Sequence, residues 1–478
     1  MEYPVTSRAF LLGPSRLREE LLIVGVALTL VVAALLSPLA LPLAVAGVVF
    51  ILAAVRFKPL LPFVVFFLPV TPFLNWDFPI RDLSTLVRFS FFAGVVVYRL
   101  THRKELHKWL WSGWLTRAIL GYLLVAIASA ILLNPLTLDA QRELMRLASY
   151  VCFYYVITGW NQTDDDTRTL LKVLIASTIA VATFGLWQAL ASGYTSLYDV
   201  LYPIQEEISQ IPAWEGRITS FLEHYNGLAG YINLVMPFCL AFATGGSDPV
   251  LRTLSKWCLA LAGTALLLTQ SRGGLLAFVA ILLIHACLSA RDGKTRMRRV
   301  AIVLVACLLA GVAAGSFFQR LGAIDDFTTV SRLAIWGGAF TVFAQSPMLG
   351  TGFGNLRSLM GGLLNLPDGW TGDAHNLYLE LLAETGLIGF LVFISLIIYA
   401  LRTSLRQFRN TQDEFGRIIG VAVFTATCGV LVHGMVDYLF HTTPQVTALL
   451  FLVLGLLSAQ ASRTKRVHPN VEARQAAG

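Results

Sequence analysis

Charge is scarce in this sequence. Only 13% of its 478 residues are Asp, Glu, Lys or Arg, while 56% are hydrophobic. A soluble globular chain carries about twice that share of charge. With so few charged groups the chain cannot cover a water-facing surface of its own size, and it reads as an integral membrane protein. Cysteine is also sparse. The six thiols (Cys152, Cys239, Cys258, Cys287, Cys307 and Cys428) lie inside or at the edges of apolar runs, and none forms a C-x-x-C pair. That pattern suits small core residues and offers neither a disulfide framework nor a thiolate metal site. No repeat of 20–50 residues and no low-complexity tract is present. Glycines at 350, 352 and 354 superficially suggest a phosphate loop, but they follow a helical pattern rather than a strand. They are better suited to a turn in which backbone approaches another element.

Apolar runs make up most of the rest. A helix needs about 20 apolar residues to cross the hydrocarbon. Fourteen runs qualify or nearly qualify: 21–37, 39–55, 59–74, 84–99, 118–133, 144–159, 170–190, 227–244, 257–270, 273–289, 300–317, 377–400, 418–436 and 446–461. Twelve spans is the alternative, since the first hairpin and 84–99 are the weakest. The fold expected is an all-α polytopic membrane protein of about 12–14 transmembrane helices. Residues 1–20 form a cytoplasmic N-terminus, 21–461 the transmembrane domain and 462–478 a cytoplasmic tail.

The formal net charge of +8 would suggest a nucleic-acid partner if it were clustered on one surface. Sorted by loop, however, 27 of the 36 Lys and Arg residues fall on one side of the membrane and the other nine on the opposite side. This is the positive-inside asymmetry. It places both termini in the cytoplasm and calls for no nucleic acid. The 160–169 loop is the exception, being made acidic by Asp164, Asp165 and Asp166. Trp109, Trp111 and Trp114 beside the basic 99–117 stretch suit the headgroup layer. The external segments then include 191–226 and 317–376, of which the second is the one long stretch without membrane character.

Chemistry-bearing residues gather in those external segments. Arg217 precedes His224-Tyr225-Asn226 at the mouth of a span. Arg272 sits in the turn Gln270-Ser271-Arg272-Gly273-Gly274 between two spans. Ser331, expected to cap a helix running to Gln345, is followed by Arg332, and Gly361-Gly362 reads as a flexible pair. Asp373-Ala374-His375-Asn376 leads into the next span, with Glu380 and Glu384 one and two turns on. Topology puts Arg217, Arg272, Arg332 and His375 on one side at membrane-boundary depth. Guanidinium forks match phosphate oxygens, and a histidine beside them can take a proton. A membrane-held substrate bearing phosphate fits this set.

At these residues the chain resembles the O-antigen ligase and polymerase superfamily of bacterial polysaccharide assembly, over roughly 210–440. The resemblance rests on Arg217 with His224 and Asn226, on Leu268 to Gly273, and on Arg332 with Trp336. It also includes Pro347 with Gly350 and Gly352, Ala374-His375-Asn376 with Glu384 to Gly389, and the closing Gly434 to Tyr438. It implies a GT-C-like bundle in the bacterial inner membrane that transfers a glycan from undecaprenyl diphosphate at the periplasmic face. The acceptor would be lipid A–core in a ligase or another repeat unit in a polymerase. By the same resemblance Arg217 and Arg272 hold the diphosphate, His375 is the base of an inverting transfer, and Arg332, Asn376 and His224 belong to the substrate site. It implies no metal and no cofactor. The neighbouring arginines are expected to favour the neutral imidazole that a base requires. The competing reading is a transporter or flippase for lipid-linked glycans, which would place ionisable residues in mid-span.

Overall fold

In a computed structural model, the described residues are 40–70, 83–102, 113–132, 136–160, 163–191, 217–222, 224–290, 292–313, 327–364, 373–439 and 443–467. The expected first span, 21–37, lies outside them, as do Trp109, Trp111 and most of the loop 191–216. The described residues form helices throughout, and nine of these are long and apolar enough to cross a membrane. The protein is an all-α polytopic membrane protein.

The helices in chain order are α1 (Ala40–Phe66), α2 (Leu83–Thr101), α3 (Gly113–Leu132), α4 (Leu138–Trp160), α5 (Asp164–Ala191), α6 (Tyr225–Gly245) and α7 (Pro249–Thr269). They continue with α8 (Arg272–Ser289), α9 (Gly293–Ala313), α10 (Phe327–Gln345), α11 (Leu356–Leu364), α12 (Leu377–Asn410), α13 (Glu414–His433) and α14 (Pro444–Val467). The element α1 covers two expected spans, and its contacts change direction along its length. Ala53 packs on Gly94 of α2. The Lys58 carbonyl accepts from Trp160 Nε1 at the far end of α4, and the Phe66 carbonyl accepts from Ser177 Oγ, well up α5. Pro59 and Pro62 lie inside the helix between these contacts, where proline removes helical hydrogen bonds.

The centre of the bundle is α6, packed against α7, α8, α13 and α14. Its residues are apolar all round and nearly all buried, as a helix surrounded by other helices requires. Gly227 and Gly230 admit Thr443 and Leu439 at distances that a Cβ would forbid, the small-residue packing on which membrane helices depend. One large core runs from α1 to α14. A second, smaller core joins Ile335, Ala339 and Val342 of α10 to Leu356 and Met360 of α11 and to Ala374 and Ala383 at the head of α12.

At the end of the bundle away from that small core, the acidic exception finds its partners. Asp164 lies 3.2 Å from Arg463, and Asp166 lies 3.6 Å from Lys58. Asp248 caps α7 and takes Lys172 at 3.0 Å. These contacts tie α5 to α1, α7 and α14. In the expected span 84–99, Arg88 is fully buried. It donates to Ser149, Ser84 and Thr85 hydroxyls, each at 2.9 Å, and lies over the Tyr150 ring.

Two expectations for 317–376 are corrected. Ser331 is not a cap: α10 begins at Phe327, because Phe327 and Val330 extend the apolar spacing backwards. Gly361 and Gly362 are not a flexible pair. They sit inside α11, which the burial of Leu356 and Met360 holds in place.

Candidate active site

Four short segments meet at one end of the bundle, at the ends of α6, α7, α8, α12 and α13. Residues 217–226 come first. Thr219 and Ser220 donate their backbone N–H groups to Gln188 Oε1, at 3.1 and 2.9 Å, and Ser220 Oγ donates to the Val181 carbonyl at 2.6 Å. This moors the segment to the end of α5. The Arg217 guanidinium lies over the Tyr225 ring, 4.4 Å from its centroid, and Arg217 Nε is buried with no hydrogen-bond partner. His224 caps α6, its Nδ1 accepting the Asn226 N–H at 3.1 Å. That bond fixes the neutral tautomer, leaving Nε2–H as a donor.

The α7–α8 turn is next. Gln270 ends α7 in the left-handed conformation, and Ser271 caps α8 by accepting the Gly274 N–H at 3.1 Å. Ser271 Oγ also donates to Asn226 Oδ1 at 2.6 Å, joining the first two segments. Arg272 opens α8. At Gly273, a Cβ would lie 2.6 Å from Val436 and 3.0 Å from the His433 ring, so only glycine allows α8 this close to the end of α13.

The third and fourth segments, 373–376 and 433–438, hold one another. Leu377 N–H donates to the Gly434 carbonyl at 2.7 Å, and Asn376 Nδ2 donates to the Met435 carbonyl at 3.0 Å. Asn376 Oδ1 caps α12, accepting from Tyr378 and Leu379. Both ends of the Asn376 side chain are thus engaged in placing its neighbour, His375. The His375 ring is partly open, at 29% side-chain exposure, and its Nδ1 faces Asp437 Oδ1 at 3.4 Å. That distance is long for an N–H donating to a carboxylate. Asp437 is buried and also accepts the Tyr438 N–H at 2.8 Å. His433 is 1% exposed and neither ring nitrogen has a hydrogen-bond partner.

Backbone strain marks the same place. Among the described residues, three that are not glycine have positive φ: Ser220 (57°), Gln270 (52°) and His375 (46°). One lies in each of the first three segments. Such conformations cost roughly 1–3 kcal/mol and persist where the surroundings over-determine them, often at functional sites.

Electrostatics connect the cluster. Burial pulls the His224 imidazole down. Asp437 opposes this, but His375, Arg217 and Arg332 add to it, and the value falls to about 4. His224 is therefore neutral near pH 7. Burial also pulls His375 down, yet the hydrogen bond to Asp437 and the charges of Asp437 and Asp373 outweigh burial and Arg332, so His375 is raised above its ordinary value. This corrects the expectation that arginines keep His375 neutral, because the carboxylate in contact prevails over the more distant guanidinium. Burial pushes the Asp437 carboxyl up, but the hydrogen bond from His375 and the three nearby histidines reverse this and hold it well below the usual carboxylate range.

The structure thus brings His224 within range of the charges of Arg217, Arg332 and His375, and His375 within range of Arg332, while Gly273, next to Arg272, lies close against the His433 ring. Sequence reading missed Asp437 and His433 as site residues. Asp437 carried a signal, a carboxylate just past a span end on the side of His375. His433 carried none, since it lies within the apolar run 418–436. Among the described residues no group of three or more His, Cys, Asp or Glu side chains is arranged to hold a metal ion.

The described residues thus form an all-helical membrane bundle in which a histidine–aspartate pair and strained backbone lie together at one end. Residues 257–394, a segment that includes Arg272, Arg332 and His375, match the family model described as O-antigen ligase. The match supports glycosyl transfer of the O-antigen ligase kind. A search of curated proteins gave no match.

Proposed function

We propose that this protein transfers a glycan from an undecaprenyl-diphosphate carrier to an acceptor hydroxyl at the periplasmic face of a bacterial inner membrane, as an O-antigen ligase does, with lipid A–core as acceptor. The observation that carries this reading is the pairing of strained His375 with buried Asp437, within range of the Arg332 charge. Asp437 accepts from Nδ1–H and so presents Nε2 as the base. The acceptor hydroxyl gives its proton to Nε2 while its oxygen bonds to the anomeric carbon of the donor. On the opposite face the bond from that carbon to the diphosphate breaks, and its electron pair leaves with the diphosphate, inverting the anomeric centre. Arg217, Arg272 and Arg332 stabilise the charge that develops there, the part a metal ion plays elsewhere. His224 Nε2–H donates to a donor oxygen. His433, whose buried and unpaired N–H costs roughly 1–3 kcal/mol, gains a partner when substrate arrives.

The positive-inside split supports the periplasmic assignment. Arg88 does not favour the transporter reading, because three hydroxyls and an aromatic face already surround it. The test is transfer by purified protein in proteoliposomes, given a lipid-diphosphate glycan and a panel of acceptors. Product on lipid A–core supports a ligase. Product only on a second lipid-linked glycan reassigns the protein as a repeat-unit polymerase. Movement of donor across the bilayer without any product refutes glycosyl transfer.

A further inference from the structure

Helix α10 has an exposed face with no charge on it. Its 19 residues include one charged side chain, Arg332. Ile335, Ala339 and Val342 face inward to the small second core. The opposite face presents Leu333, 63% exposed, and Phe340, 60% exposed, with Ala334, Gly337, Thr341 and Ala344 exposed around them. A water-facing helix carries charge on that side.

The turn after α10 continues this surface. Pro347 is exposed and Met348 is 57% exposed. The turn joins α12 at a kink. Gly386 has a φ of 64°, and Gly350 a φ of 76°. Leu387 and Ile388 donate their N–H groups to the carbonyls of Pro347 and Met348, at 2.8 and 3.1 Å. Thr351 and Gly352 donate to the carbonyls of Ala383 and Glu384, at 2.8 and 3.1 Å. Ser129 Oγ reaches the carbonyls of Leu349 and Glu384. Non-helical backbone at membrane depth is tolerated only where protein supplies the missing partners, and here turn and kink supply each other's.

Depth follows from α12, which is a membrane span. Leu391, on its exposed side, needs lipid. Leu387 is one turn above it, about 6 Å along the axis, and Ile388 is bonded to the turn that exposes Met348. The apolar surface is continuous from the span through Met348 to Phe340 and Leu333.

We infer that the bilayer leaflet on the site's side of the membrane covers the Leu333–Phe340 face of α10 and the Pro347–Met348 turn. The helix then lies in that leaflet as an interfacial element, and Arg332, beside Leu333, sits at the depth of lipid phosphate. The inference is independent of the reaction catalysed.

The test uses full-length protein in lipid nanodiscs, with the native cysteines replaced and a single cysteine introduced as Phe340→Cys, Leu333→Cys or, as a control in the basic run that opens α9, Lys294→Cys. Each is labelled with a polarity-sensitive fluorophore. A nitroxide on the lipid acyl chain should quench positions 340 and 333 at least twofold, while aqueous iodide leaves them nearly unchanged and quenches position 294. Iodide quenching at 340 and 333 equal to that at 294 would overturn the inference. Protection from both quenchers would also overturn it, because protein and not lipid would then cover the face.

Discussion

His375 and Asp437 are separated by 62 residues in the chain and by one weak contact in space, and the behaviour of the site turns on that contact. Only the neutral imidazole can accept the hydroxyl proton. Because His375 is raised above its ordinary value, transfer should fall as pH drops through a value higher than the usual 6.5 or so. Asp437→Asn removes the charge that raises it. The acid limb of kcat/KM should then move to lower pH, while the maximal rate falls on the order of 10²-fold because the imidazole loses its orienting partner. A pH–rate profile of the two proteins checks both signs. The arginines are a different case. Arg272→Lys should be nearly as damaging as Arg272→Ala, since a point charge cannot reproduce a bidentate contact with diphosphate; donor titrations of the two variants decide this. Charged residues were legible here because they stand out in so apolar a chain. Asp437 and His433 were not assigned because their significance is a distance to His375, which no local pattern records.

At the scale of elements, the site depends on caps and on one kink. Ser271, His224 and Asn376 each cap the helix they precede, and Ser271 and Asn376 each bond to a neighbouring segment as well. The kink at Gly386, about three helical turns from His375, lets α12 exchange backbone bonds with the 346–352 turn. A Cβ at position 386 would fall 2.4 Å from the Met348 carbonyl group and 2.5 Å from Gly350 N, on a backbone at positive φ. With ψ at −169° this is backbone open essentially to glycine alone, which costs another residue roughly 1–3 kcal/mol, and the overlap adds to it. Gly386→Ala should therefore lower the melting temperature clearly. Gly337→Ala, with nothing within 4 Å, should leave it unchanged or slightly higher. Thermal unfolding followed by size-exclusion chromatography compares them. Sequence reading anticipated a glycine turn that brings backbone close to another element, and it found helix-like spacing in α10. It missed the true start of α10, although Phe327 and Val330 continue the apolar spacing, and it missed the kink, because the apolar pattern runs straight through Gly386 while the reason for the kink lies in contact with the 346–352 turn.

For the whole molecule, the membrane class was legible from composition and the long apolar runs, since burial in lipid imposes its demand on every residue of a span. The orientation we assign rests on the split of basic residues, and it has a simple check. Single cysteines at Thr295 and Thr411 should be protected from an impermeant thiol reagent in intact cells. One at Asn365, outside the described residues, should react. Labelling of 295 and 411 but not 365 would invert the assignment. The central claim, that this end of the bundle is a transferase site with His375 as its base, is tested most directly by His375→Gln. Glutamine keeps a donor and an acceptor but cannot serve as a base near neutral pH. In protein shown to be folded and inserted, single-turnover transfer from a lipid-diphosphate glycan should fall by a factor on the order of 10²–10⁴ while donor binding is retained. A near-normal rate for that variant would contradict the account.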